Sequence, residues 1–345
     1  MPRSAARQLR AEVRKAASPL LVLALIVFGL SVWRDLSTTT RHFASQSQGA
    51  SGTALWLADR TEQRCADVPP DEPHCMLAQR DLVENQPLVA NGCHMGRVAA
   101  SMGHPAAVAQ FVARQAISGA GWLLLAFVAM ALVVGERSAG TADDAIRRLG
   151  RPRFLLVKWS AVVTVTLVLL SIVVVALMAL RHSYVETVTA FTGVDAGGAP
   201  VGSVDVPPDP SWTSWSTALA TILVAVALLS VVAASAVPLA ARSRTMAWFG
   251  IGSLAVVAVV FAASRATQGA WWAPMTAIDR AAELWDVPPG MRDVRIWDLS
   301  SRAPDVDQFG VPRSGSMAAM AGLAALCLAC AGALAWDFVR RGPRT

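Results

Sequence analysis

The chain has 345 residues, 54% hydrophobic and 16% charged, with a mean hydropathy of +0.46 and a formal net charge of +6. That balance is too apolar for an ordinary soluble protein of this size. The apolar residues gather in runs near the ~20 needed to cross a bilayer core, and they do not alternate as barrel strands do. The expectation is an all-α membrane protein with six transmembrane helices, since lipid leaves no open strand edge a partner.

The spans are expected at 18–33, 116–135, 159–180, 217–240, 246–263 and 317–336. Six spans put 1–17, 136–158, 241–245 and 337–345 on one side, where net charge totals +11, and 34–115, 181–216 and 264–316 on the other, at −5. The positive-inside rule makes the basic side cytoplasmic, with both termini inside a cell membrane. The basic excess is thereby a matter of topology, and no nucleic-acid partner is expected.

In chain order, residues 1–17 form a basic amphipathic arm with Arg3, Arg7, Arg10 and Arg14 at helical spacing, suited to the membrane interface. Ser18-Pro19 opens the first span with proline in the first turn. No small-x-small site follows Leu20–Leu30, so an uncleaved anchor is expected rather than a signal peptide.

The 82 residues 34–115 are too many for a connector; containing Pro69-Pro70, Asn91-Gly92 and three cysteines, they read as a small extracytoplasmic subdomain. Cys65, Cys75 and Cys93 lie here, in an oxidising space; one disulfide among them is expected, with the pair left open. His74-Cys75-Met76 and Cys93-His94-Met95 have the chemistry of a soft-metal site. The rival reading is a Cys75–Cys93 disulfide with incidental neighbours. Lacking tight C-x-x-C spacing, no metal ligand is assigned. His104 to Gln115 is expected as an interfacial helix.

Between the second and third spans lies ERSAGTADDAIRRLGRPRFLLVK, residues 136–158. Thr141 is the expected N-cap, with Asp144 completing a variant capping box. Asp143 and Asp144 fall in the first turn, and Arg147 and Arg148 in the last, as the helix dipole favours. Gly150 is the expected left-handed stop, and Pro152 blocks continuation. The helix is about two turns, roughly 12 Å. Lys158 and Trp159 read as a snorkelling lysine and an interfacial indole.

Residues 181–216 are acidic, rich in Gly and Pro, and read as a loop, with Trp212 and Trp215 marking the interface before the fourth span. Pro238 is a candidate kink in that span. Residues 264–316 hold Trp271-Trp272 and an amphipathic stretch, Ala273–Trp285. Cys327 and Cys330 sit in the sixth span as packing thiols.

The chain has no P-loop, no His-Glu-x-x-His and no Gly-x-Ser-x-Gly. The span interiors carry no Asp, Glu, Lys, Arg or His, whereas ion-coupled transporters and pumps need ionisable groups there. Energy for uphill work would have to enter from a partner, which returns attention to 136–158. Glu136-Arg137, then Gly140-Thr141, a short helix, Arg153 and Lys158 resemble the type-2 ABC exporter permeases. The turn Gly150-Arg151-Pro152-Arg153 departs from that family in lacking a serine.

The resemblance implies a non-catalytic permease subunit coupled through 141–149 to a separate cytoplasmic ATPase, which binds the ATP and Mg. A second permease copy is implied too. The partner contacts would be Glu136, Arg137, Gly140, Thr141, Asp143, Asp144, Arg147, Arg148 and Arg153, with Glu136 and Arg137 bracing the second span. The alternative is a membrane-anchored sensor or assembly protein acting through 34–115. A membrane enzyme with its site in 264–316 ranks last, for want of a nucleophile–base pair there.

Overall fold

The computed structural model describes residues 19–116, 119–243, 245, 249–250, 325, 328–329 and 331–341. The arm 1–17, nearly all of the fifth span, the segment 264–316 and much of the sixth span, with Cys327 and Cys330, lie outside the described residues. The described chain is mostly helical. Four of its helices are long and apolar enough to cross a membrane: Pro19–Cys65, Ala120–Arg137, Arg151–Ala179 and Trp215–Arg242.

Helix α1 (Pro19–Cys65) does not stop near Trp33; its described part runs for 47 residues, about 70 Å at 1.5 Å per residue. Its apolar half is followed by a stripe of small buried residues, Thr40, Ala44, Ser47 and Ser51, at the three- and four-residue spacing of one helix face. Helix α2 (Pro73–Ser101) packs antiparallel on that stripe. A Cβ on Gly92 would overlap the Ala50 methyl, and one on Gly96 would overlap Ser47. Asn91-Gly92 therefore lies inside a helix and is no turn: glycine is there so that two backbones can approach.

The disulfide joins Cys65 to Cys75 at the closed end of this hairpin, which leaves Cys93 free and exposed. The Cys75–Cys93 pairing is thereby overturned. Cys75 and Cys93 are eighteen positions apart on one helix, about 27 Å, so the two His/Cys/Met clusters do not converge either.

Helix α3 (Pro105–Ala116) was expected at the interface and is instead buried, with Ala106 through Ala113 nearly all enclosed. Its alanines leave no bulky face, and it fits between neighbouring helices. Helix α4 (Gly119–Ala129), a π turn (Met130–Val134) and helix α5 (Gly135–Ser138) follow as one rod. Helix α6 (Ala142–Leu149) and helix α7 (Arg151–Ala179) come next. Helix α7 begins at Arg151, eight residues before the expected span 159–180, because Pro152 stands in its first turn and starts that helix.

A 3₁₀ turn (Arg181–Ser183) leads into an irregular arm with two two-residue ribbons. Strand β1 (Thr189–Ala190) pairs antiparallel with β4 (Val204–Asp205), and β2 (Gly193–Val194) with β3 (Pro200–Val201). The arm leans on α1, where Phe191 N donates to Ser51 Oγ at 3.0 Å and Arg41 pairs with Glu186 at 3.1 Å. Helix α8 (Pro210–Thr213) and helix α9 (Trp215–Arg242) follow. Pro238 lies inside α9 without ending it. The last described helix, α10, covers 331–341.

Two of the tryptophans expected at the interface pack against other helices. Trp159 Nε1 donates to Ser230 O in α9 at 2.9 Å. Trp212 is buried, with the Arg114 guanidinium 4.1 Å from its ring centre. Trp215 is exposed.

At the hairpin end, α2 is tied to the start of α8. His94 Nδ1 lies 3.2 Å from Asp209 Oδ2, and Asp209 N donates to Ser101 Oγ at 2.7 Å. Burial holds the His94 imidazole below its ordinary range; Asp209 opposes that and Arg97 adds to it. Below pH ~6.5 the unfolded chain binds a proton that the folded chain resists. The contribution of this site is whole above that pH and is lost as pH falls through it. Thermal melts of the purified chain are expected to fall between pH 7.5 and 5.5, and His94→Gln to flatten that slope. An unchanged slope in the variant would assign it to other groups.

Candidate functional site

The loop 136–158 is built by two glycines with positive φ. At Gly140, φ is 72°, and the turn it makes is closed by Gly140 N to Arg137 O at 3.0 Å and Thr141 N to Glu136 O at 3.0 Å. At Gly150, φ is 76° and ψ is 152°. The positive φ agrees with the sequence reading, but the ψ is extended, not left-handed helical. Only glycine holds that geometry comfortably, and it lets one residue end α6 and begin α7. Gly150 N donates back to Ile146 O at 2.8 Å, and Gly150 O accepts from Phe154 N at 3.0 Å.

Thr141 stands at the N-cap position, yet the capping box is not formed. Its backbone is already helical, at φ −84° and ψ −13°, and its side chain makes no cap bond. The hydroxyl donates instead to Glu136 O at 3.2 Å. A Ser or Thr cap needs an extended backbone to reach the second or third amide, and the turn at Gly140 does not supply one.

Helix α6 has a distinct underside and outside. Ala142 is buried and Ala145, Ile146 and Leu149 are half-buried, while Asp143, Asp144, Arg147 and Arg148 are exposed. Gly140, Thr141 and Arg153 are exposed beside them. The opposite charges stand four positions apart, with the acids toward the helix N-terminus, the favourable order. The four charges form one outward face about two turns long.

The base of the loop is where the structure departs most from the sequence reading. Lys158 does not snorkel. It is 2% exposed, with Nζ 2.6 Å from Glu136 Oε2, itself 8% exposed. The ammonium also donates to Leu132 O of the π turn at 3.1 Å and sits 5.7 Å from the Phe154 ring centre. A buried charge is tolerated when it is paired and hydrogen-bonded, and both conditions hold. The pair joins α5 to α7 beneath α6, so the second and third spans are cross-linked at the root of the loop. π turns recur at functional positions, and this one presents the carbonyl that completes the lysine's shell.

Arg137 is half-buried and reaches a different element. Its Nη1 donates to Ala241 O at 2.6 Å and to Ser243 O at 3.3 Å, at the end of α9. Of the nine candidate contact residues, seven lie on the exposed side of the loop, and Glu136 and Arg137 lie at its base. Residues that the sequence reading missed are Lys158 as an ion-pair partner, and Phe154. A lone lysine entering an apolar run, 22 positions after a lone glutamate leaving one, was the available signal.

Among the described residues, no group of three or more His, Cys, Asp or Glu side chains is gathered as a metal site. No family model, curated protein sequence or solved structure matches this chain.

Proposed function

We propose that this chain is the membrane-spanning permease subunit of an ATP-driven ABC exporter in the cell membrane. In this reading the loop 136–158 and both termini are cytoplasmic, and α6 docks in a cleft of a separate ATPase subunit, which binds ATP and Mg. The chain itself is not an enzyme. One observation carries the reading: a two-turn helix held between two spans, with all four of its charges outward and its root cross-linked by the buried Glu136–Lys158 pair. A solvated loop needs no such foundation.

Each residue then has a task. Asp143, Asp144, Arg147 and Arg148 make the polar contacts with the ATPase, flanked by Gly140, Thr141 and Arg153. Glu136 and Arg137 brace the loop instead of touching the partner. ATP-driven closure of two ATPase subunits pushes α6 in each of two permease copies. The push enters α5 and α7 together, because the ion pair lets neither move alone.

The test is purification of the full chain from its native membrane in mild detergent. An ATPase with a Walker A motif should accompany it. Arg147→Glu with Arg148→Glu should weaken that association about tenfold or more, or ~1.4 kcal/mol and upward, while membrane insertion stays normal. Repeated recovery of the chain without any ATPase would sink the proposal.

A second reading keeps one observation of its own. Helix α1 continues without a break from the apolar segment into the disulfide-closed hairpin, a form suited to a sensor or assembly factor working through 34–115. Deleting the hairpin tip should abolish function under this reading and leave ATPase association intact under the first.

A further inference from the structure

We propose that the end of α10 is a strut for the docking helix: Arg151, Asp337 and Phe338 fasten it beneath α6, so that movement of α6 is delivered to α9 and α10 as well as to the two spans it joins. This rests on α6 being the docking helix.

The argument starts from the weakness of α6 alone. Eight residues are too few for a stable isolated helix in water, so its underside must be held by packing. That packing is supplied partly from far along the chain. Phe338 is fully buried and stacks on Phe154 with ring centres 6.3 Å apart. A small cavity is shared by Ala142, Ile146, Phe154, Ala241 and Phe338, so the undersides of α6, α9 and α10 meet there.

The polar contacts follow one design. A helix C-terminus leaves carbonyls without intrahelical donors and carries partial negative charge. Two arginines flanking α6 donate to such carbonyls, Arg137 at the end of α9 and Arg151 in the last described turn of α10, where Pro343 of the sequence has no amide to offer Val339 O. Arg137, before it, donates to Ala241 O and Ser243 O of α9. Arg151, after it, donates to Val339 O at 2.7 Å and Arg340 O at 3.3 Å of α10. The triangle is closed by Asp337, which pairs with Arg242 of α9 and with Arg341 at 2.8 Å. The loop is thus tied by guanidinium forks to the ends of two helices it does not join in sequence.

Arg151 is a positioning residue: its exposed neighbour Arg153, not Arg151, borders the docking face. Its test uses the full chain in its complex. Hydrogen exchange at 142–150 should accelerate about tenfold in Arg151→Ala, recover in part in Arg151→Lys, and stay unchanged at 34–101 in both. At saturating ATPase, Arg151→Ala should lower membrane-subunit-dependent ATP hydrolysis severalfold while ATPase affinity changes less than about threefold. Should Arg151→Ala fail to fold, Asp337→Asn weakens the α9–α10 tie, together with the Arg341 pair inside α10, and should give the same pattern more weakly. Unchanged exchange at 142–150 in the folded variants, or unchanged hydrolysis, overturns the strut. If no ATPase accompanies the chain, the docking reading fails, and the exchange result still decides whether α10 holds α6.

Discussion

Lys158→Met is expected to lower stability by about 3–5 kcal/mol, because it takes the ammonium away from the enclosed Glu136 carboxylate. The methionine fills much of the same volume, so the loss is electrostatic and not a cavity effect. Glu136→Gln combined with Lys158→Met removes both charges and should recover most of the deficit, since two neutral side chains carry no comparable desolvation penalty. Thermal melts in detergent of the parent, both single variants and the double variant give the coupling directly. A double-variant deficit equal to the sum of the two single deficits would mean that the pair contributes nothing as a pair. Because the contact joins α5 to α7, Lys158→Met should also loosen α6, although that helix is untouched.

The hairpin gives the second large effect, in which one substitution type changes sign with position. Gly92→Ala and Gly96→Ala should each destabilise by about 1–3 kcal/mol, as overpacking does. A Cβ at either meets Ala50 or Ser47, which have no flexible end to swing aside. Gly49→Ala lies on the same hairpin, inside α1, where a Cβ would meet nothing within 4 Å. It should be neutral or stabilising by up to ~1 kcal/mol, the ordinary helix preference for alanine over glycine. Limited proteolysis of the 66–72 connection, compared across the three variants, reads the hairpin separately from the rest. Loss of protection in Gly49→Ala, or its retention in Gly92→Ala and Gly96→Ala, would contradict the close approach of the two backbones.

The helical loop 136–158 is legible in the sequence because its signals are local. Gly140, Gly150 and Pro152 punctuate it, and the acid-then-base order of α6 follows the helix dipole. The cap was misread at one point: Thr141 has the right identity but the wrong backbone, a matter settled by the turn before it. The small-residue stripe Thr40, Ala44, Ser47 and Ser51 has helical spacing too. Its members are polar or small, so no apolar period marks it. The role of Gly92 is hidden in the same way, since a glycine needed for close helix packing is indistinguishable in sequence from one needed for a turn.

By itself, then, the sequence determined what depends on neighbours along the chain and on composition. Helices had to form because apolar runs in lipid must satisfy their own backbones. Helix α6 had to be short because glycines with positive φ stand at both ends. What only the tertiary structure decided are the pairings between distant positions. These include Cys65 with Cys75 among three thiols, Gly92 against Ala50, Lys158 turned inward to Glu136, and Arg151 on the end of α10. The physical reason is common to all four. Each depends on which faces and ends of helices meet across space, and a lysine or arginine reads the same in sequence whether its charge reaches water or a buried partner.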